Sequence, residues 1–146
     1  MKKSEWIFLI IVICVAALLL GIGINKPFFG HHDWNGVWYG SIARDYLRDG
    51  IFYSKMGLFL HYPPLLPLLL TSSRWILGPS EGALRIVSII FSLLTLISIY
   101  ILGKKLYRKS AAIIATLFTI PLPIFLYFGK MPVHEVILLP LILITV

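Results

Sequence analysis

Residues 6–25, WIFLIIVICVAALLLGIGIN, contain no charged side chain. A helix of about 20 apolar residues crosses a hydrocarbon core roughly 30 Å thick, and inside lipid a helix is one of the few forms that satisfies its own backbone N–H and C=O groups. Two later runs, 86–102 and 111–128, are equally free of Asp, Glu, Lys and Arg. A fourth, 136–146, starts the same way and has eleven residues when the sequence stops. The pattern predicts an all-α integral membrane protein, a multi-spanning helical bundle with spans at 6–24, 86–102 and 111–128. The segment 136–146 reads as an incomplete fourth span, so the 146 residues are expected to be the N-terminal part of a longer transmembrane domain and to be inactive alone. Composition agrees: 13% of residues are charged, against about 25% in soluble domains.

The first run is too long for a signal-peptide core of about 7 to 15 residues, and no small-residue cleavage site follows it. It reads as a retained span. The net charge of +7 would invite a nucleic-acid partner in a soluble chain. Here the cations sit at the ends of apolar runs, where they set topology, and no nucleic-acid partner is expected. Lys2 and Lys3 precede the first span, and GKKLYRKS at 103–110 carries four cations and no acid. Both flanks are therefore expected in the cytoplasm. Alternation then places the long loop 25–85 and the short connector GKMPVHE at 129–135 on the outer face. Cys14 is the only cysteine, so the chain holds no internal disulfide or thiolate metal site.

A featureless loop of that length is improbable in a compact domain, and the loop has internal pattern. From 37 to 49 the apolar Trp38, Tyr39, Ile42, Ala43, Tyr46 and Leu47 recur at helical spacing, Arg44, Asp45, Arg48 and Asp49 take the other face, and Gly50 follows. This predicts an amphipathic helix lying at the membrane interface. After HYPP, the apolar stretch 65–77 contains Pro67 and Arg74. It is too short to span and is expected to be interfacial or re-entrant.

Three of the six acidic residues fall in HHDWNGVWYGSIARDYLRDG, 31–50. Asp33 stands just before the amphipathic helix. One reading makes it an N-cap, a role Asn35 fills equally well; the other makes it a functional carboxylate at the membrane surface. Glu135 opens the last apolar run, where it complements the helix dipole. The topology also returns it to the face that holds Asp33, and paired carboxylates can share general-base, ligand-orienting and metal-binding work. A divalent metal held by Asp33 and Glu135 is the cofactor these residues allow. His31, His32, His61 and His134 share that face without H-x-x-x-H spacing, which fits hydrogen bonding better than metal ligation. Arg44, Arg48, Lys55, Arg74 and Lys130 supply cations for a phosphate, or for lipid head groups and the neighbouring acids.

Taken in order, the first-loop stretch 31–50, HYPPLLPLLL and FGKMPVHEVILL resemble the GT-C superfamily of polytopic glycosyltransferases. The nearest branch is the one grouped with dolichyl-phosphate-mannose protein mannosyltransferases and lipid A aminoarabinose transferases. The likeness runs over essentially the whole chain, as the N-terminal part of a GT-C-like transmembrane domain. It implies an inverting enzyme that takes a hexose or pentose from a polyprenyl-phosphate donor and passes it to a protein, lipid or glycan acceptor on the non-cytoplasmic side. It implies that Asp33 is the base and Glu135 the second-loop acid. His61 falls at a donor-phosphate contact, and Lys130 at a position often basic; Arg44 and Lys55 are further candidates for substrate binding. A prokaryotic plasma membrane with the active site on its outer face is the expected location.

Two other classes fit the same residues. A transporter or flippase for a lipid-linked or anionic substrate would also use proline-broken helices, and Pro121 and Pro123 lie within the third run. A non-catalytic membrane subunit would use the long loop to dock a partner.

Overall fold

The computed structural model describes residues 3–28, 33–50 and 64–145, which form seven helices and no strand. They are α1 (Lys3–Gly21), α2 (Trp34–Asp49), α3 (Leu65–Leu77), α4 (Glu81–Leu106), α5 (Lys109–Thr119), α6 (Pro123–Phe128) and α7 (His134–Thr145). Two of these, α1 and α4, are long and apolar enough to cross a membrane.

These two run antiparallel, and polar contacts fix both ends. At one end the Lys104 ammonium donates to both Glu5 oxygens at 2.9 Å. At the other, Arg85 donates to the carbonyl of Ile24 at 2.7 Å and to that of Lys26. Between them α1 buries a single stripe, Leu9, Val12, Ala16 and Leu20, at three- and four-residue spacing. Val12 and Ala16 pack with Leu96 and Ile120, and Leu9 packs with Tyr100 and Ala112. On its other side Ile7, Ile10, Ile11, Val15 and Leu18 are exposed. A helix apolar on every side with one buried stripe is built for lipid.

The segment 111–128, expected as one span, is two helices of eleven and six residues. Proline is the cause. Pro121 and Pro123 have no N–H to give, and Pro123 drives the residue before it out of the helical region. Leu122 is accordingly extended, with φ −62° and ψ 127°.

Among the described residues of the long loop, α2 and α3 form with close to the expected bounds. Gly50, at φ 106°, ends α2 in a conformation glycine tolerates. The buried faces of α2 and α3 form one cluster with α4 and α7: Tyr39, Ile42, Ala43 and Tyr46 meet Leu66, Leu70, Leu84, Val87 and Ile137. Close approach depends on missing side chains. A Cβ on Gly40 would lie 2.7 Å from Leu84, and one on Gly36 would lie 2.6 Å from the Phe28 ring. The sequence-based faces of α2 need one exchange. Asp45, expected outside, is 1% exposed, and Leu47, expected inside, is 43% exposed. Asp45 stands three residues after Ile42 and so belongs to the buried stripe, where Arg44 pairs with it at 3.3 Å.

Candidate active site

A polar contact holds the start of α7 against α2. The Tyr39 hydroxyl and His134 Nδ1 are hydrogen-bonded at 3.0 Å, with the rings edge to face at 4.9 Å. The pair joins the long loop to the connector 95 residues later in the chain. Buried Ile137, one turn further along α7, continues the contact into the apolar cluster.

Beside this junction lies a cavity of about 640 Å³, a volume in the range of small-molecule sites. Its walls come from α4 (Ser92, Thr95), the broken α5 and α6 segment (Thr119, Leu122, Phe125) and α7 (Glu135, Leu139), with Asn35 of α2 at the edge. The break at Pro121 and Pro123 shapes it, since Leu122 and the first turn of α6 form one wall. Most of the lining is apolar. The Ser92 hydroxyl donates to the carbonyl of Gly129 at 2.7 Å and the Thr95 hydroxyl to that of Phe91 at 3.0 Å, so both are engaged in the protein's own bonds. Glu135, which is exposed, and half-buried Asn35 are left as the groups with chemistry to offer.

Asp33 is half-buried and directly precedes α2, two residues before Asn35. It occupies the N-cap position of that helix, and its side chain makes no cap hydrogen bond there. It does not line the cavity. The Lys130 ammonium donates to the carbonyl of Ile22 at 3.1 Å, so here it secures the end of α1. Arg44 lies eleven residues from Asp33 on the same helix, about 16 Å along its axis, and is paired with Asp45. It does not gather with the acids. His134 is a hydrogen-bonding residue, and no group of three or more His, Cys, Asp or Glu side chains comes together among the described residues. His31, His32, Lys55 and His61 lie outside the described residues.

Sequence reasoning missed three contributors: Asn35 as a cavity residue, the Tyr39 and His134 pair, and Arg85. Only Arg85 left a trace. It is a cation at the end of an apolar run opposite the basic stretch 103–110, where cations otherwise gather, and it is 6% exposed.

No curated protein and no solved structure matches the chain. The family model for dolichyl-phosphate-mannose-protein mannosyltransferases matches residues 61–146, a range that holds α3 to α7, Glu135 and the cavity lining other than Asn35. With more than half of its length matched, its apolar helices and its all-helical fold, the chain belongs to this family of membrane glycosyltransferases.

Proposed function

We propose that the protein moves a sugar from a polyprenyl-phosphate donor to an acceptor hydroxyl on a protein, lipid or glycan, at the outer face of a prokaryotic plasma membrane. In this reading Asp33 takes the hydroxyl proton while the acceptor oxygen attacks the anomeric carbon from the side opposite the phosphate. The carbon–oxygen bond to phosphate breaks, polyprenyl phosphate leaves with the electron pair, and the configuration inverts. Glu135 orients the acceptor. His61 and Lys130 would serve the departing phosphate, with Arg44 and Lys55 further out along the donor.

The observation that carries this reading is the docking of α2 on the start of α7 through Tyr39 and His134. It draws the helix that follows Asp33 to the residue beside Glu135, so two acids 102 positions apart belong to one end of the bundle. An apolar cavity edged by few polar groups is what a lipid-borne sugar needs. Asp33 and Glu135 are also the residues that would hold a divalent cation. Two carboxylates make a partial site of the kind magnesium completes with substrate phosphate, and the ion would neutralise charge on the departing phosphate.

The test is transfer from radiolabelled polyprenyl-phosphate sugar by the full-length protein, compared with Asp33→Asn and Glu135→Gln. Loss of a general base lowers turnover by about 10²- to 10⁴-fold, so Asp33→Asn is expected to lose activity in that range and Glu135→Gln to lose less. Undiminished transfer by Asp33→Asn sinks the base assignment. Donor movement across the membrane without transfer supports the transporter instead.

A further inference from the structure

The segment that leads from α1 toward Asp33 is gripped by a side chain from another helix. Beyond Gly21 the chain leaves the α-helix in short turns, in which the N–H groups of Ile22, Ile24 and Lys26 bond to carbonyls three residues earlier. The carbonyls of Ile24 and Lys26 then need donors of their own. Both find one guanidinium nitrogen of Arg85, the fifth residue of α4. The same guanidinium lies over the Phe28 ring, with its central carbon 4.2 Å from the ring centroid. That ring in turn fills the space left by the absent side chain of Gly36, in the first turn of α2, directly after Asn35 and three residues after Asp33.

We infer that Arg85, acting through Phe28, is a positioning residue that fixes the start of α2, and with it Asp33 ahead of that helix and Asn35 in the cavity lining. Its consequence for rate rests on the transfer reading above; the geometric claim does not. Packing alone does not account for the arginine. A leucine would fill comparable apolar space, but it would leave two carbonyls without a donor and the aromatic ring without its cation. Nor does helix-end electrostatics account for it, because the guanidinium sits near the N-terminal end of its own helix, where a cation is unfavourable. The stabilisation it gains comes from α1's end and from Phe28. Displacing it therefore frees Phe28, whose ring packs on α2.

The test is a cross-link that needs no turnover. In a Cys14→Ser background of the full-length protein, Asn35→Cys on α2 and Glu135→Cys on α7 place two thiols in the cavity lining, and a short bis-maleimide reports their approach. Arg85→Met is expected to lower the cross-linking yield several-fold, with Arg85→Lys, which keeps the charge and one carbonyl bond, restoring part of it. Phe28→Leu leaves the arginine and its carbonyl bonds in place and is expected to lower the yield as well, so the test survives if Arg85→Met does not fold. Wild-type yield in a folded Arg85→Met or in Phe28→Leu overturns the inference. In the protein without added cysteines, Phe28→Leu is expected to reduce kcat with KM little changed; a misplacement near 1 Å can cost about 10²-fold. A fall in cross-linking with no transfer in the wild type would sink the functional reading and leave the positioning role standing.

Discussion

Single side chains in this protein bear weight in proportion to how little water they can reach, and Glu5 is the clearest case. Its carboxylate is 4% exposed, whereas the Lys104 ammonium that meets it is 38% exposed. The two partners are therefore not equivalent. Removing the lysine takes one partner from a charge buried away from water, while removing the acid leaves a cation that can turn to solvent or head groups. Breaking a fully buried pair costs about 3 to 5 kcal/mol. With the lysine partly in water, Lys104→Met is expected to cost about 2 kcal/mol, discounted for screening. Glu5→Gln should cost less than half of that, as read from thermal unfolding in detergent. Equal losses would mean that the carboxylate is not the desolvated partner. The ion pair joins residues 99 positions apart, as the Tyr39 and His134 pair joins residues 95 apart. Neither partner choice is visible in a local pattern. The sequence shows that Glu5 and Lys104 flank spans on one side, and nothing in it selects Lys104 over Lys105.

At the scale of elements, local chemistry was legible wherever it alone sets the outcome. The stretch 65–77 becomes α3 with those bounds, and α2 ends at Gly50 as its glycine required. The segment 111–128 departs from its expected form because hydropathy measures length of apolar sequence and is blind to the backbone. Pro121 and Pro123 were in plain view, yet apolarity carried the run through them. The break has a use, since Leu122 and the residues after it make a cavity wall. Replacing both prolines with alanine restores the N–H groups and relieves the restriction on Leu122, so α5 and α6 are expected to merge and narrow the cavity. A Leu122→Cys thiol in a Cys14→Ser background should then react more slowly with a small maleimide than it does with the prolines present. Unchanged reactivity would show that the break is held by tertiary packing and not by the prolines. The expected polar face of α2 failed at Asp45 for a different reason. Helical spacing put it on the buried stripe beside Ile42, but its charge argued for solvent, and burial next to Arg44 resolved the conflict.

For the whole molecule, the antiparallel pairing of α1 and α4 defines two ends, and the acids of interest share one of them. The Glu5 and Lys104 pair marks one end together with the basic stretch 103–110. Arg85, the turns after Gly21, α2 and the start of α7 mark the other, because Ile137 packs with Leu84 and Val87 near the beginning of α4. The cations of 103–110 assign the first end to the cytoplasm by their usual bias, which would leave Asp33 and Glu135 outside. Single cysteines in a Cys14→Ser background give the check. Cells bearing the full-length protein with Asp33→Cys or Glu135→Cys are expected to be labelled by a membrane-impermeant maleimide added outside. Tyr107→Cys, 78% exposed in the short connection between α4 and α5, should react only after the membrane is opened. Labelling of positions 33 and 135 from opposite sides would contradict the α2 and α7 junction itself, since two residues joined through Tyr39 and His134 cannot be separated by a bilayer. Labelling of both from inside would preserve the junction and reverse the orientation. The donor sugar would then have to be met on the cytoplasmic side.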